Sequence, residues 1–550
     1  MINNKEKSNS ILILAGKLTS IDSFYTYEYF NNIGNTLMIE RILNSLDLKK
    51  STKKYIAVSK IDKTFTSFKP FAELNFINVG FTNGVIETIE KAINLIKEDN
   101  ISIIPITTIP DKNYFHEDVC YFSDLSIPKE NWSSIKIENG KKEYFFKADI
   151  NSIGIKSFPF TGRITAKKFD LLNSIKNIHN TQKKDLLYLA KNLIEEFNYE
   201  VLLEKWYDSG HDATYHQTKI TSFTSRFFNN ISYNNSKNTI IKKSKDYKKL
   251  NCEVNFYNNL PIKLKKFFPY IFNSYKKNCN FNYLEIEFIP YPNLSELFLF
   301  KKIGPNAWFR IINSISKVYE GFYLLDEPKI KTSCSWLYSE KLILRYESIE
   351  KFINNSQNQI LKKILNYGIL VNSHLKINSL KSTYKALLKF LRIYEKSVPL
   401  YIGHGDLCFN NILVEHISGT LKLIDPKAFF YKDLDLFGLI DPNYDLSKLN
   451  HSFRYLYDSV VNNLFSIDYI SSDIQLKIFS PKEYNYINKQ FKDIIINQNI
   501  DKELLRILTS NLFISMLPLH IDDEERLIVF SIIASVIFQD LNFDSLRITL

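Results

Sequence analysis

Several side chains able to move a proton or hold a cation stand together in His404-Gly405-Asp406-Leu407-Cys408-Phe409-Asn410-Asn411, and Asp425 closes the nearby run Leu423-Ile424-Asp425. An Asp, four residues and then an Asn is the arrangement in which the carboxylate accepts a proton from an attacking hydroxyl while the amide oxygen takes Mg²⁺. The apolar residues Leu421, Leu423 and Ile424 precede Asp425. A hairpin between Asn411 and Asp425 would return the second carboxylate to the same cation. Phosphoryl transfer asks little covalent chemistry of a protein: charge neutralisation on the triphosphate, an in-line hydroxyl and a base within reach. The expected chemistry is transfer from ATP, with Mg²⁺, to the hydroxyl of a small molecule. Asp406 is the expected base, and Asn411 and Asp425 are expected at the metal.

Such a site needs a second set of residues to grip the nucleotide. Thr239-Ile240-Ile241-Lys242 reads as a strand ending in a cation, and Lys242 would hold the α- and β-phosphates. Glu253, within Leu250-Asn251-Cys252-Glu253-Val254-Asn255-Phe256-Tyr257, falls on an expected helix from which its carboxylate could pair with Lys242. Alone this is a weak signal, because Lys is abundant and a lone Lys/Glu pair is more often a solvated surface pair. Its order relative to the downstream segment gives it weight.

HGDLCFNNIL and LIDP resemble the catalytic loop and metal-binding Asp of the aminoglycoside phosphotransferase and choline kinase superfamily. Gly438-Leu439-Ile440-Asp441-Pro442-Asn443-Tyr444-Asp445-Leu446-Ser447-Lys448-Leu449 is similar to the G-D-P-x-Y-D-L-x-K-L segment of that superfamily. The resemblance implies a bilobal α+β, protein-kinase-like domain over residues 220–550, with an N-lobe over about 220–292 and a C-lobe over about 293–550. It implies that Asp445 and His404 support the catalytic loop structurally. Tyr283-Leu284-Glu285-Ile286-Glu287-Phe288-Ile289-Pro290 resembles the hinge strand, so backbone groups near Glu287 and Ile289 would receive the adenine edge, and Leu294-Ser295-Glu296-Leu297 would open a helix. No Gly-rich loop precedes Lys242. Residues 222–230 (SFTSRFFNN) occupy its place, a departure common among small-molecule kinases of this superfamily.

Upstream, strand and helix alternate. Ile11–Leu14, a helix with Met38, Ile39, Ile42, Leu43 and Leu46 on one face, Tyr55–Val58, Phe76–Val79, a helix through Ile86, Ile89, Ile93 and Ile96, then Ile101–Ile106 read as βαβαβ units. Such alternation predicts a Rossmann-like α/β domain with a mostly parallel sheet and ligands at the carboxyl ends of its strands.

Leu12-Ile13-Leu14-Ala15-Gly16-Lys17, Gly34-Asn35-Thr36-Leu37-Met38-Ile39-Glu40 and Trp206-Tyr207-Asp208-Ser209-Gly210-His211 resemble, in worn form, the phosphate loop, helix start and closing W-x-D-x-G segment of sugar-phosphate nucleotidyltransferases. That resemblance covers about residues 10–218 and implies a nucleotidyltransferase-like domain over 1–219, with Lys17 and Asp208 in its cleft. The Arg and second Gly of the phosphate loop are missing, and Thr107-Thr108 stand where the family has a metal-binding Gly-Asp. Nucleotidyl transfer needs Mg²⁺ between two carboxylates. The favoured reading is a domain that kept the fold and lost the activity. Replacement of the lost carboxylate by Asp111 is the opposite reading, and it would make the chain bifunctional.

The junction is expected near Thr218 to Phe223, without a Pro/Gly/Ser linker. The tandem order, including WYDSGHDATYHQTKITSFTSRFFNNI across the junction, resembles bacterial capsule and surface-polysaccharide proteins. Residues 300–400 read as amphipathic helix whose aromatic residues (Trp308, Phe309, Tyr319, Phe322, Tyr323, Trp336) are either substrate wall or plain core.

Composition bounds these readings. The 550 residues suffice for two or three globular domains, at 45% hydrophobic and 24% charged content. The net charge of +12 is spread along the chain, which argues against a nucleic-acid partner. Cys120, Cys252, Cys279, Cys334 and Cys408 form no CxxC pair, and His211, His216 and His520 lack ligand spacing, so no metal beyond Mg²⁺ is indicated. The apolar run Ile11–Leu14 is too short for a signal peptide, and Leu527–Phe538 too short for a membrane span. Asp522, three residues before Glu525, reads as the cap of a buried C-terminal helix. The expected address is the cytoplasm and the expected partners are a nucleotide and a small hydroxyl acceptor. A non-catalytic nucleotide-binding assembly protein is the remaining alternative.

Overall fold

A computed structural model describes residues 9–15, 30, 32–61, 65–110, 116–130, 132–147, 149–179, 185–210, 218, 229–234, 236–244, 246–277, 280–324, 327–427, 429–431, 436–470, 473–496 and 500–549. The chain divides into two compact units, Met1–Ser222 and Phe223–Leu550.

The first unit is built on strand Asn9–Ala15. Its run of Ile and Leu is buried on both faces, the pattern expected of an interior parallel strand. Lys53–Val58 and Asn100–Pro105 flank it in parallel, with Ile13 opposite both Ile56 and Ile104, and Asn75–Asn78 extends the parallel set beyond Lys53–Val58. Helix Val85–Leu95 covers one face through Ile86, Ile89, Ala92 and Ile93, spaced three and four residues apart as a helical stripe requires. Each such Ile or Leu, once fully buried, contributes about 1.5–3 kcal/mol of hydrophobic stabilisation.

The remainder of this sheet is mainly antiparallel, which the βαβ alternation did not reveal. The long strand Lys156–Lys167 runs antiparallel to Asn100–Pro105 and carries Val119–Ser123, against which Glu200–Glu204 adds in parallel. The sheet is thus mixed: a parallel half continued by an antiparallel one. Its ladder shifts register between Phe160 and Ile164. Gly162 lies there at φ +79°, where a Cβ would come within 2.6 Å of the Pro105 ring.

The second unit is built from a smaller and a larger lobe. Its smaller lobe is an antiparallel sheet in the order Asn229–Asn234, Thr239–Ser244, Asn280–Glu287, Ile271–Lys277, with helix Tyr247–Asn259 inserted between the second and third strands in sequence. That helix starts at Asp246, whose carboxylate accepts from Lys249 N–H at 3.1 Å. Helix Leu294–Phe300 follows the last strand, and the larger lobe is assembled from Pro305–Tyr319, Ser339–Asn355, Leu380–Tyr394, Pro442–Phe453, Lys502–Met516 and Glu524–Phe538. Between them runs the hairpin Ile412–Glu415/Thr420–Leu423, with Ile412 opposite Leu423.

Helix Glu524–Phe538 is buried from Leu527 to Ile537. Its cap is Asp523, which accepts from Arg526 N–H at 3.2 Å, and not Asp522. The Asp522 carboxylate lies instead 3.6 Å from the Arg526 guanidinium. Of the aromatic residues in 300–400, Trp308, Tyr319, Phe322 and Tyr323 are buried core. Among the described residues, no helix is long and apolar enough to cross a membrane.

Candidate active site

In strand Thr239–Ser244, Lys242 and Ser244 are both buried, two residues apart as one face of a strand requires. From there its ammonium donates to both oxygens of Glu253 (2.9 and 2.7 Å) and to Asp425 Oδ1 (2.5 Å). Glu253 is buried on the inner face of helix Tyr247–Asn259. Burial alone would discharge Lys242, but the Glu253 and Asp425 carboxylates hold its pKa above the ordinary lysine value. The strand-borne cation thereby ties its own helix to the end of the hairpin.

Segment 403–411 is held by its backbone. Asp445 Oδ2 accepts from the N–H groups of His404 (2.9 Å) and Gly405 (3.1 Å) and from the Tyr323 hydroxyl (2.5 Å), while Oδ1 accepts from Leu407 N–H (3.4 Å). Four donors on one buried carboxylate fix the loop's path, although burial still leaves the acid's pKa raised. His404 is saturated as well. Asp406 N–H donates to its Nδ1 at 3.2 Å, so the proton sits on Nε2, which donates to Ile424 O at 3.0 Å. Burial lowers the His404 pKa and keeps the ring neutral. Position 403 has no room for a side chain, since a Cβ there would sit 1.9 Å from the Tyr323 hydroxyl.

Asp406 follows this scaffold and presents a carboxylate bracketed by cations. Lys427 Nζ lies 3.1 Å from Oδ2 and Lys448 Nζ 3.2 Å from Oδ1. Burial alone would raise its pKa, but Lys448 and Lys427 hold it far below the usual carboxylate range. Asn411 Nδ2 donates to Asp406 O at 2.8 Å, which leaves the amide oxygen as the end that could hold a cation. Ile424 N–H donates to Asn411 O at 3.0 Å, placing Asp425 one residue beyond that tie. Asp425 has φ +55° and a side chain 55% exposed, an exposed carboxylate on strained backbone of the kind found at ligand sites.

The structure therefore gathers Asp406, Asn411, Asp425, Lys242 and Glu253, with His404 and Asp445 behind them. Glu287 N–H donates to Tyr270 O at 2.8 Å, which leaves its carbonyl, not its N–H, to meet an adenine edge; Ile289 lies just past the strand end. Sequence reasoning missed Lys427 and Lys448 as site residues, although Lys448 lies in the quoted Asp445-Leu446-Ser447-Lys448 run. It also missed Asp441, which caps helix Pro442–Phe453 and accepts from the Tyr338 and Tyr394 hydroxyls at 2.5 and 2.6 Å.

In the first unit, Asp208 is buried and pairs across the ladder with Thr108, and its Oδ1 accepts from Gly210 N–H at 3.0 Å. Thr108 Oγ1 donates to Thr161 O at 2.8 Å. Lys17, Asp111 and the junction residues 219–228 lie outside the described residues.

No protein-family model matches this chain, and no curated protein matches it. Solved structures do. A protein described as a glucose-1-phosphate thymidylyltransferase of Bacillus anthracis aligns at 14% identity over 40% of this chain and 97% of its own, with a TM-score of 0.32. A UDP-glucose pyrophosphorylase complexed with UDP-glucose aligns at 9% identity over 40% of this chain and 100% of its own, TM-score 0.31. An aminoglycoside-3'-phosphotransferase of type VIII aligns at 13% identity over 50% of this chain and 84% of its own, TM-score 0.31. The chain resembles two transferase folds in tandem. The nucleotidyltransferase-like part comes first and the phosphotransferase-like part second.

Proposed function

We propose that the unit Phe223–Leu550 is an ATP- and Mg²⁺-dependent phosphotransferase acting on the hydroxyl of a small metabolite, a sugar or amino alcohol used in surface or capsular polysaccharide synthesis. The observation that carries this reading is the contact of Lys242 with both Glu253 and Asp425. It joins the sheet that would grip a nucleotide to the hairpin whose root carries Asp406 and Asn411. Mg²⁺ fits this donor set: Asp425 offers an exposed carboxylate and Asn411 an amide oxygen oriented by its Nδ2 bond. When bound there, the ion would neutralise charge on the β- and γ-phosphates. Lys242 would bind the α- and β-phosphates, the Glu287 carbonyl and Ile289 N–H would meet the adenine edge, and Asp406 would take the acceptor's proton.

The first unit is proposed to have kept its fold and lost nucleotidyl transfer. What supports this is Thr108, directly opposite Asp208, with its hydroxyl committed to Thr161 O.

Asp406→Asn tests the main reading. It keeps the shape and removes the proton acceptor, and such bases are worth about 10²–10⁴-fold. Phosphoryl transfer to a verified acceptor should nearly vanish while ATP binding, read by calorimetry, persists. Turnover within a few-fold of the parent would exclude Asp406 as the base.

A further inference from the structure

Two ammonium groups flank the single carboxylate of Asp406, one on each oxygen. The trio carries a surplus of one positive charge, while residues 404–411 contain neither Lys nor Arg. The two cations are not equivalent. Lys427 is 40% exposed on the segment following Asp425, whereas Lys448 is 12% exposed on helix Pro442–Phe453. That helix is fixed by its Asp441 cap and, through Asp445, by the loop itself. Lys448 is therefore a preorganised charge, with a position set by the same helix that sets the loop.

On the phosphotransferase reading, the acceptor oxygen sits within hydrogen-bond reach of Asp406 and the γ-phosphorus lies in line beyond it. A bond forms between acceptor oxygen and γ-phosphorus, the bond from that phosphorus to the bridging β,γ-oxygen breaks, and ADP leaves with the electron pair. The hydroxyl proton goes to Asp406. Charge in this step spreads over the three equatorial oxygens of the phosphoryl group. Lys242 is committed to Glu253 and, when nucleotide is bound, to the other phosphates.

We propose that Lys448 is a catalytic residue that contacts the transferred phosphoryl group and stabilises its charge during transfer. The assignment rests on the reading of the second unit as a kinase, because it needs a γ-phosphate next to Asp406. It explains why a surplus cation is held on a buried helix face beside the base: its missing anion arrives with the substrate. It also gives Lys448 a function separate from Lys427, which borders the metal-binding turn.

The test uses the full chain and calorimetric titration with Mg·ADP, alone and with aluminium fluoride, whose complex with ADP imitates the phosphoryl group in flight. Lys448→Met should leave Mg·ADP affinity within about three-fold and weaken the aluminium fluoride complex roughly 10²-fold, the loss seen when one charge-stabilising donor is removed. Lys448→Arg should restore most of it. A residue that merely positions Asp406 would behave differently in the Asp406→Asn background. There, adding Lys448→Met should still cost roughly 10²-fold; disappearance of the effect would overturn the proposal. The doubly substituted chain leaves no unpaired buried carboxylate, so it decides the matter even where Lys448→Met alone fails to fold. Normal Mg·ADP binding with an unmoved aluminium fluoride affinity overturns the assignment alone, whereas absence of Mg·ADP binding by the parent chain overturns the kinase reading with it.

Discussion

Removing Lys242 should cost stability as well as nucleotide binding, and the two losses separate. At 2.7 Å the attraction between the Lys242 ammonium and Glu253 is about 6 kcal/mol at an effective dielectric of about 20. Several kcal/mol of desolvation for each buried ion oppose it, so the intact pair is close to neutral for folding. Breaking it is a different matter. Lys242→Met strands the Glu253 carboxylate, only 3% exposed, and should destabilise the small lobe by ~3–5 kcal/mol. The Asp425 contact adds less than about 1 kcal/mol, because that carboxylate is more than half exposed. Lys242→Met with Glu253→Gln removes both charges and should recover to within ~1 kcal/mol of the parent. Nucleotide binding should stay lost in both variants. Hydrogen exchange across residues 239–259 as a function of urea reads the local stability, and calorimetry with ATP reads binding. A loss below about 1 kcal/mol in Lys242→Met, or an equal loss in the double variant, would refute the buried-pair reasoning.

Three further outcomes are expected. Asp425→Ala should abolish the tightening of ATP binding by Mg²⁺, since Asn411 offers only a neutral oxygen; an unchanged Mg²⁺ dependence in calorimetry would place the metal carboxylates elsewhere. Burial raises the Asp458 acid to about 6, so the folded parent favours the protonated form and loses stability as pH rises from about 4 to 6. Asp458→Asn should therefore gain about 3 kcal/mol at pH 8 and about half that at pH 5, measured by denaturant midpoints; a gain independent of pH would show that the acid does not titrate there. Finally, the Asp406→Asn full-length chain should release no pyrophosphate from CTP, UTP, ATP, GTP or dTTP with Mg²⁺ and phosphorylated sugars or amino alcohols. Acceptor-dependent release that disappears on Asp208→Ala would make the protein bifunctional.

What could be read in the sequence was whatever chemistry is local. Asn411 and Asp425 flank one hairpin with Asp406 just before it, and Lys242 and Glu253 lie on a strand and the helix that follows it, so spacing alone ordered them. The Ile/Leu run of Asn9–Ala15 likewise announced a buried parallel strand. Lys448 escaped because its distance from Asp406 is set by the docking of helix Pro442–Phe453 on the loop, which no periodicity records. The antiparallel half of the first sheet escaped because Lys156–Lys167 bends at Gly162 and breaks its own alternation. The cap of the last helix was misplaced by one residue because Asp522 and Asp523 both precede a Glu-rich first turn, and only the backbone path separates them.

The saturation of His404 bears on how freely the turn at Asp425 can move. Its N–H is taken by Asp445, its carbonyl by Lys427 N–H at 2.9 Å, and its two ring nitrogens by Asp406 and Ile424. Loop and the turn at Asp425 are thus stitched into one block through a single neutral imidazole. Moving Asp425 away with its turn would break both the Nε2 bond to Ile424 O and the Lys427 N–H bond to His404 O. Rearrangement of this turn is therefore opposed by at least these two hydrogen bonds.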